Sequence, residues 1–154
     1  MPRDVEFFAD RNLGVNTFPR LLRENGVVVH LHQDYFPPAA DDVDWMPEVA
    51  RRGWPIISPD IRIARDRLEV EAIMTSGAAV FCLSGGHCTA EDKARNFLRC
   101  LPEILSVLER TPRPFIAKVY QPNRDDREDT RTRRVEVKLT IAQWEERQRK
   151  GSRG

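Results

Sequence analysis

Asp10 closes a short apolar run, Val5 to Ala9, and Asp60 follows another, Trp54 to Ser58. In an open α/β sheet, ligands gather outside the carboxyl ends of the strands, where strand order reverses. If these two runs are neighbouring strands, the two carboxylates share one cleft. Asp41, Asp42 and Asp44 stand at the start of the helix between them and can reach the same place. Carboxylates about 4 Å apart repel by roughly 4 kcal/mol at an effective dielectric near 20. Such a cluster takes up a proton or holds a cation, and an all-oxygen donor set selects Mg2+ or Mn2+ over zinc. Taken singly, Asp10 can cap the next turn and Asp60 can open a β-turn after Pro59. Their pairing at two strand ends favours the functional reading.

Other groups offer less. His30 and His32 alternate along one strand, but a histidine at a strand end is more often a hydrogen-bonded boundary residue. Gly85-Gly86-His87-Cys88 precedes a helix yet lacks the Lys-Ser/Thr of a phosphate loop. Trp45 and Trp54 read as core anchors. Arg62, Arg65 and Arg67, close behind Asp60, can meet phosphates beside the acids or form a solvated connector. No serine–histidine or cysteine–histidine constellation offers a rival nucleophile.

The elements that position these residues alternate. Val5–Ala9 is the first expected strand. Thr17 can cap a helix with Pro19 in its first turn, Leu21 and Leu22 inward, and Gly26 as its stop. Val27 to Leu31 makes a second, buried strand. Asp44 is the simplest cap for the next helix, because Pro47 then falls in the first turn, where it is harmless; this leaves Asp42 free. Gly53 ends that helix, and Trp54–Ser58 follows as the third strand. Asp66-Arg67-Leu68-Glu69 has capping-box spacing, with Leu68, Ala72 and Ile73 on one face and Gly77 as the stop. Ala78–Leu83 is a fourth strand. A helix capped by Thr89 carries Phe97, Leu98, Leu101, Ile104, Leu105 and Leu108 at helical spacing, with Pro102 expected to kink or split it. Phe115–Tyr120 is a fifth strand. Val135, Val137 and Leu139 alternate with charges and predict an antiparallel edge strand, followed by a charged helix over Ile141–Lys150. The alternation predicts a three-layer, mainly parallel sheet with helices on both faces.

The 154 residues fit one domain, and a domain of this length buries roughly 70% of its unfolded surface without disulfide or metal support. We divide it into an α/β domain over residues 1–120 and a charged extension over 121–154, comprising a mobile loop, the edge strand and the last helix. Cys82, Cys88 and Cys100 are odd in number and lack a CxxC pair, which points to reduced thiols and a cytoplasmic protein. MPRDVEFFAD has no signal-peptide pattern, and no apolar run approaches the roughly 20 residues that span a bilayer, so no membrane role is expected. The net charge of +1 announces no polyanion partner.

Three segments carry a resemblance. Phe7-Phe8-Ala9-Asp10-Arg11-Asn12-Leu13-Gly14, Asp42-Val43-Asp44-Trp45-Met46-Pro47-Glu48-Val49 and Gly53-Trp54-Pro55-Ile56-Ile57-Ser58-Pro59-Asp60 resemble the PIN-like domains, most nearly a small subgroup with a truncated helical insert. The likeness spans residues 5–120 and implies a PIN-like fold and a metal-dependent ribonuclease, the activity of VapC-type toxins of bacterial toxin–antitoxin pairs. It implies Asp10, Asp42 and Asp60 as catalytic ligands of Mg2+ or Mn2+. Ser58 stands in the Ser/Thr position that orients a carboxylate or water. Family members commonly carry a further acid on a helix before the Asp-x-x-Trp motif; the nearest here is Asp34, in a proline-bounded loop. The resemblance further implies RNA as substrate, with Arg11, Arg62 and Arg65 available to its phosphates, and a cognate antitoxin as partner; a homodimer is compatible with it. The alternative reading is a non-catalytic PIN-like module that docks partners.

Overall fold

Short apolar runs alternating with amphipathic helices produce one six-stranded sheet: β1 (Glu6–Ala9), β2 (Val28–Leu31), β3 (Ile56–Ser58), β4 (Ala79–Leu83), β5 (Phe115–Val119) and β6 (Val135–Thr140). The structure is a computed structural model and describes residues 5–59, 66–85, 88–121 and 134–151. Strand order is β2-β1-β3-β4-β5-β6. The first five strands are parallel, and β6 runs antiparallel to β5 with Val119 opposite Val135. The expected edge strand is therefore present. The stretch expected to be mobile falls almost wholly on residues 122–133, outside the described ones.

Helices α1 (Thr17–Glu24), α2 (Asp42–Arg51), α3 (Arg67–Ser76), α4 (Ala90–Arg110) and α5 (Ile141–Gly151) complete the fold. Side chains alternate across a strand, so the adjacent Phe7 and Phe8 enter different cores. Phe7 joins α1 and α4 through Phe18, Leu22, Phe97 and Ile104. Phe8 joins α2 and α3 through Trp45, Met46, Val49 and Ile73. Sheet and helices thus form the three layers expected. Covered on both faces, β4 buries all five of its residues. β2 is the edge strand opposite β6, and its Val28 is 46% exposed, so the strand is less enclosed than its β-branched run suggests.

Helices α1, α3 and α4 depart from expectation, as does α2, which starts ahead of Asp44. Thr17 is the first residue of α1 rather than its cap. α4 runs through Pro102 without interruption, because Phe97, Cys100, Ile104 and Val107 seat it on the sheet on both sides of the proline. Leu68 is 76% exposed, since α3 turns Glu69, Ala72 and Ile73 inward and places Leu68 about 100° away. Gly77 ends α3 in the left-handed conformation that its lack of a Cβ permits. Among the described residues, no helix is long and apolar enough to cross a membrane.

Candidate active site

The chain leaves β1 for β2 on one side and comes back to β3 on the other. β1 is therefore where strand order reverses, and the crevice over the carboxyl ends of β1 and β3 is where a ligand belongs. Asp10 stands at its edge. Its amide donates to the Ile57 carbonyl of β3 at 2.9 Å, and its Oδ1 accepts from the Asn12 amide at 2.9 Å. That second bond caps a 3-10 turn, Arg11–Leu13. The bland reading of Asp10 is thus correct for one oxygen, and the other points to a further use.

Asp42 comes from α2, which begins earlier than expected. Asp41 precedes the helix without a side-chain cap bond, and Asp44 is the third helical residue, exposed, not the cap. Pro47 consequently lies inside the helix. The early start is held by Trp45 and Met46, 2% and 1% exposed, whose burial outweighs the one backbone bond that proline deletes. It also forms a bond across one turn, in which the Trp45 Nε1–H donates to Asp42 Oδ1 at 3.0 Å. Asp10 and Asp42 thus each anchor one oxygen on a protein donor. Among the described residues, no donor engages either second oxygen.

Asp10, Arg11, Asn12, His32, Asp42, Trp45, Ser58 and Glu69 line one cavity of about 130 Å3. Burial pushes the Asp10 carboxyl above its ordinary range; the Asn12 amide pulls it back, and the Asp42 charge pushes it up again. Arg11 and His32 oppose the rise more weakly. Burial and then the Arg11 charge hold His32 below its ordinary range, against the pull of Asp10 and Asp42. Two crowded carboxylates, each with an uncommitted oxygen, fit a hard divalent cation. Among the described residues, no three His, Cys, Asp or Glu side chains suffice to hold one by themselves, and Asp60 lies outside those residues. Its strand, β3, does lie beside β1 and parallel to it.

Ser58 is fully buried in the cavity wall. Asp34 is exposed in the 3-10 turn His32–Asp34, and the structure does not bring it to the lining. Arg11 reaches the cavity with its guanidinium donating to the Pro38 carbonyl. Arg62 and Arg65 lie outside the described residues, and Arg67 opens α3, exposed. His30 is the satisfied boundary residue expected: its Nδ1 meets the Tyr35 hydroxyl at 2.7 Å and its Nε2 meets Glu6 at 3.0 Å. His32 is different. It is 3% exposed, and its Nε2 has no hydrogen-bond partner among the described residues.

Glu69 and His32 are the lining residues that sequence reasoning missed. The spacing of Glu69, Ala72 and Ile73 was the available signal, because it puts Glu69 on the buried face of α3. Asp66 does cap that helix, accepting from the Leu68 and Glu69 amides. One prediction tests the indole anchor. Trp45→Phe keeps a buried aromatic ring but removes the donor to Asp42, at a cost of roughly 0.5–1.5 kcal/mol. The melting temperature is expected to fall slightly, while the Mn2+ concentration giving half-maximal thermal stabilisation rises several-fold. An unchanged Mn2+ midpoint would show that Asp42 needs no anchor.

A model of the family described as PIN-like domain matches residues 5–85. The chain is also 29% identical over 117 residues to "Putative ribonuclease VapC45" of Mycobacterium tuberculosis, covering 73% of this chain and 84% of that protein. No solved structure matches it. The match covers β1 to β4, the strand-order reversal included, and this chain belongs to the PIN-like domain family.

Proposed function

We propose that the protein is an endoribonuclease that hydrolyses RNA with Mg2+ or Mn2+ held by Asp10, Asp42 and Asp60, and that it is the toxin of a bacterial toxin–antitoxin pair. The observation that carries this reading is the convergence of Asp10, Asp42, Ser58 and Glu69 on one cavity at the strand-order reversal. The name of the mycobacterial relative supports RNA as the substrate. When bound, the ion would polarise the scissile phosphate and lower the pKa of an attacking water. The chain's own residues do the positioning. The Asn12 amide and the Trp45 indole hold one oxygen each of Asp10 and Asp42, and the second oxygens would hold the ion. Ser58 lines the wall of the same cavity and would orient a carboxylate or water, and Arg11 would meet the phosphate. Glu69 would serve as the further acid, for which Asp34 was only the nearest candidate in the sequence. A cognate antitoxin would act by covering this cleft, and the activity implies a cytoplasmic setting.

The test is cleavage of single-stranded RNA by pure protein. Cutting is expected with Mn2+ and none with EDTA, accompanied by a rise in melting temperature on adding Mn2+. A protein showing neither would instead support the non-catalytic docking module, for which the failure of Asp34 to reach the cavity is the one favouring observation.

A further inference from the structure

β1 and β2 each end in a 3-10 turn, Arg11–Leu13 and His32–Asp34. Between these turns lies a second cavity of about 190 Å3, which shares Asp10, Arg11 and His32 with the acidic one. Its remaining walls differ in character. Val15, Leu31 and Pro38 are apolar, and Gln33 supplies an amide that both donates and accepts. Pockets for drug-sized ligands run to about 300–1,000 Å3, so this one takes a single planar heterocycle rather than a whole nucleotide.

We propose that this cavity receives one unstacked nucleobase of the RNA, next to the phosphate presented to the acids. The proposal rests on the nuclease reading above for the position of that phosphate. Proteins that read single-stranded RNA splay bases out, hold their faces against apolar, aromatic or guanidinium surfaces, and hydrogen-bond their edges. Each requirement is met here by a residue. Val15, Leu31 and Pro38 offer apolar surface to the base. The Arg11 guanidinium, tied to the Pro38 carbonyl, stands at the seam between the two cavities, where the linking phosphate would pass. His32 forms wall in both, and its buried Nε2 has no partner among the described residues. Leaving such a nitrogen unpaired costs about 1–3 kcal/mol, and the packing of the ring against Phe8, Phe36 and Trp45 holds it in this wall. The exposed Gln33 amide makes the pocket able to distinguish bases, because a hydrogen-bonding group left unmatched penalises the wrong one.

Val15 is 45% exposed, so Val15→Trp can fill the cavity from its solvent side without entering the core. Binding of uridine, cytidine, adenosine and guanosine to the metal-free protein, followed by ligand-observed NMR, reads the pocket without cleavage. Wild type is expected to separate the best from the worst nucleoside by at least about fivefold in affinity, a free-energy difference near 1 kcal/mol. Val15→Trp and Gln33→Ala are each expected to abolish that separation, with both keeping the parental Mn2+ thermal shift. On randomised single-stranded RNA, wild type is expected to prefer one base beside the cut, and Val15→Trp to cut without that preference. Equal or absent binding of the four nucleosides to wild type would overturn the proposal, as would retained discrimination in Val15→Trp. Discrimination among nucleosides with indifferent RNA cutting would make the pocket a site for free nucleosides and overturn its assignment to RNA. Discrimination by a wild type with neither cleavage nor a Mn2+ shift would uphold the base pocket and remove the nuclease reading alone.

Discussion

Asp10→Asn is expected to reduce Mn2+-dependent RNA cleavage to the level of the no-enzyme control while raising the melting temperature of the metal-free protein. Asparagine keeps the carbonyl that accepts from the Asn12 amide, so the 3-10 turn and the strand end stay capped. It removes a full negative charge from a site with few charged donors, and hard cations depend on such donors. The stability gain follows from linkage. Burial and the neighbouring Asp42 raise the Asp10 pKa in the folded protein. Relative to high pH, a stabilisation fully present below the ordinary aspartate pKa is lost as pH rises through the raised value. Above that raised value the metal-free parent has lost it, whereas the asparagine variant never had a charge to desolvate. The advantage of Asp10→Asn should therefore shrink as pH falls toward the ordinary aspartate range. The parent's Mn2+ shift should fade over the same range, because the ion must displace a tightly held proton. Asp44→Asn, an exposed change beside the same helix start, should do neither. An Asp10→Asn protein that cuts RNA at the parental rate would sink the mechanism.

Phe8→Ala is expected to lower stability by about 3–5 kcal/mol, the usual range for truncating a buried phenylalanine. For a chain of this size that is a fall of roughly 6–20 °C in melting temperature. The large value is assigned here because Phe8 is fully buried and central to one core. Its ring lies 5.2 Å from Trp45 and 6.0 Å from Phe36 and stacks 6.5 Å from Trp54. Backbone held in a central strand cannot close over the void. The residue is also two places from Asp10, and Trp45 is the donor that fixes Asp42, so Mn2+ stabilisation should weaken too. Leu68→Ala, a similar truncation at an exposed site, should stay within about 0.5 kcal/mol. Thermal melts of the two variants compare the predictions directly. Phe8→Ala melting within 2 °C of wild type would contradict the packing account.

The layout of the sheet was legible in the sequence because each strand is a short apolar run bounded by turn residues, and because Val135, Val137 and Leu139 alternate visibly. The family resemblance through Asp10, Asp42 and Ser58 was legible for the same reason: those residues sit beside strand ends or a tryptophan anchor. What stayed hidden depended on helical phase and tertiary packing. The capping argument placed the start of α2 at Asp44 by weighing one proline, whereas the buried Trp45 and Met46 decide where that helix begins. Glu69 already had an explanation in its capping box, so its inward phase went unread. His32 resembled any histidine at a strand end, and only the surrounding Phe8, Phe36 and Trp45 rings reveal that it is sealed in beside the acids.

The packing of Phe7 bears on how the chain matures on a ribosome. Synthesis proceeds from the amino terminus, and the described cavity residues, Asp10 to Glu69, have all been joined before β4 is made. Yet the Phe7 side of β1 is covered by α4, whose Phe97 ring meets Phe7 edge-on at 5.3 Å. A nascent chain that has emerged only as far as β4 would carry the acids but leave that face of their strand bare. Under the proposed function, the acids acquire a fixed arrangement only after α4 has been released. A nuclease built in this order would stay inert until residues through Arg110 have emerged and packed against β1.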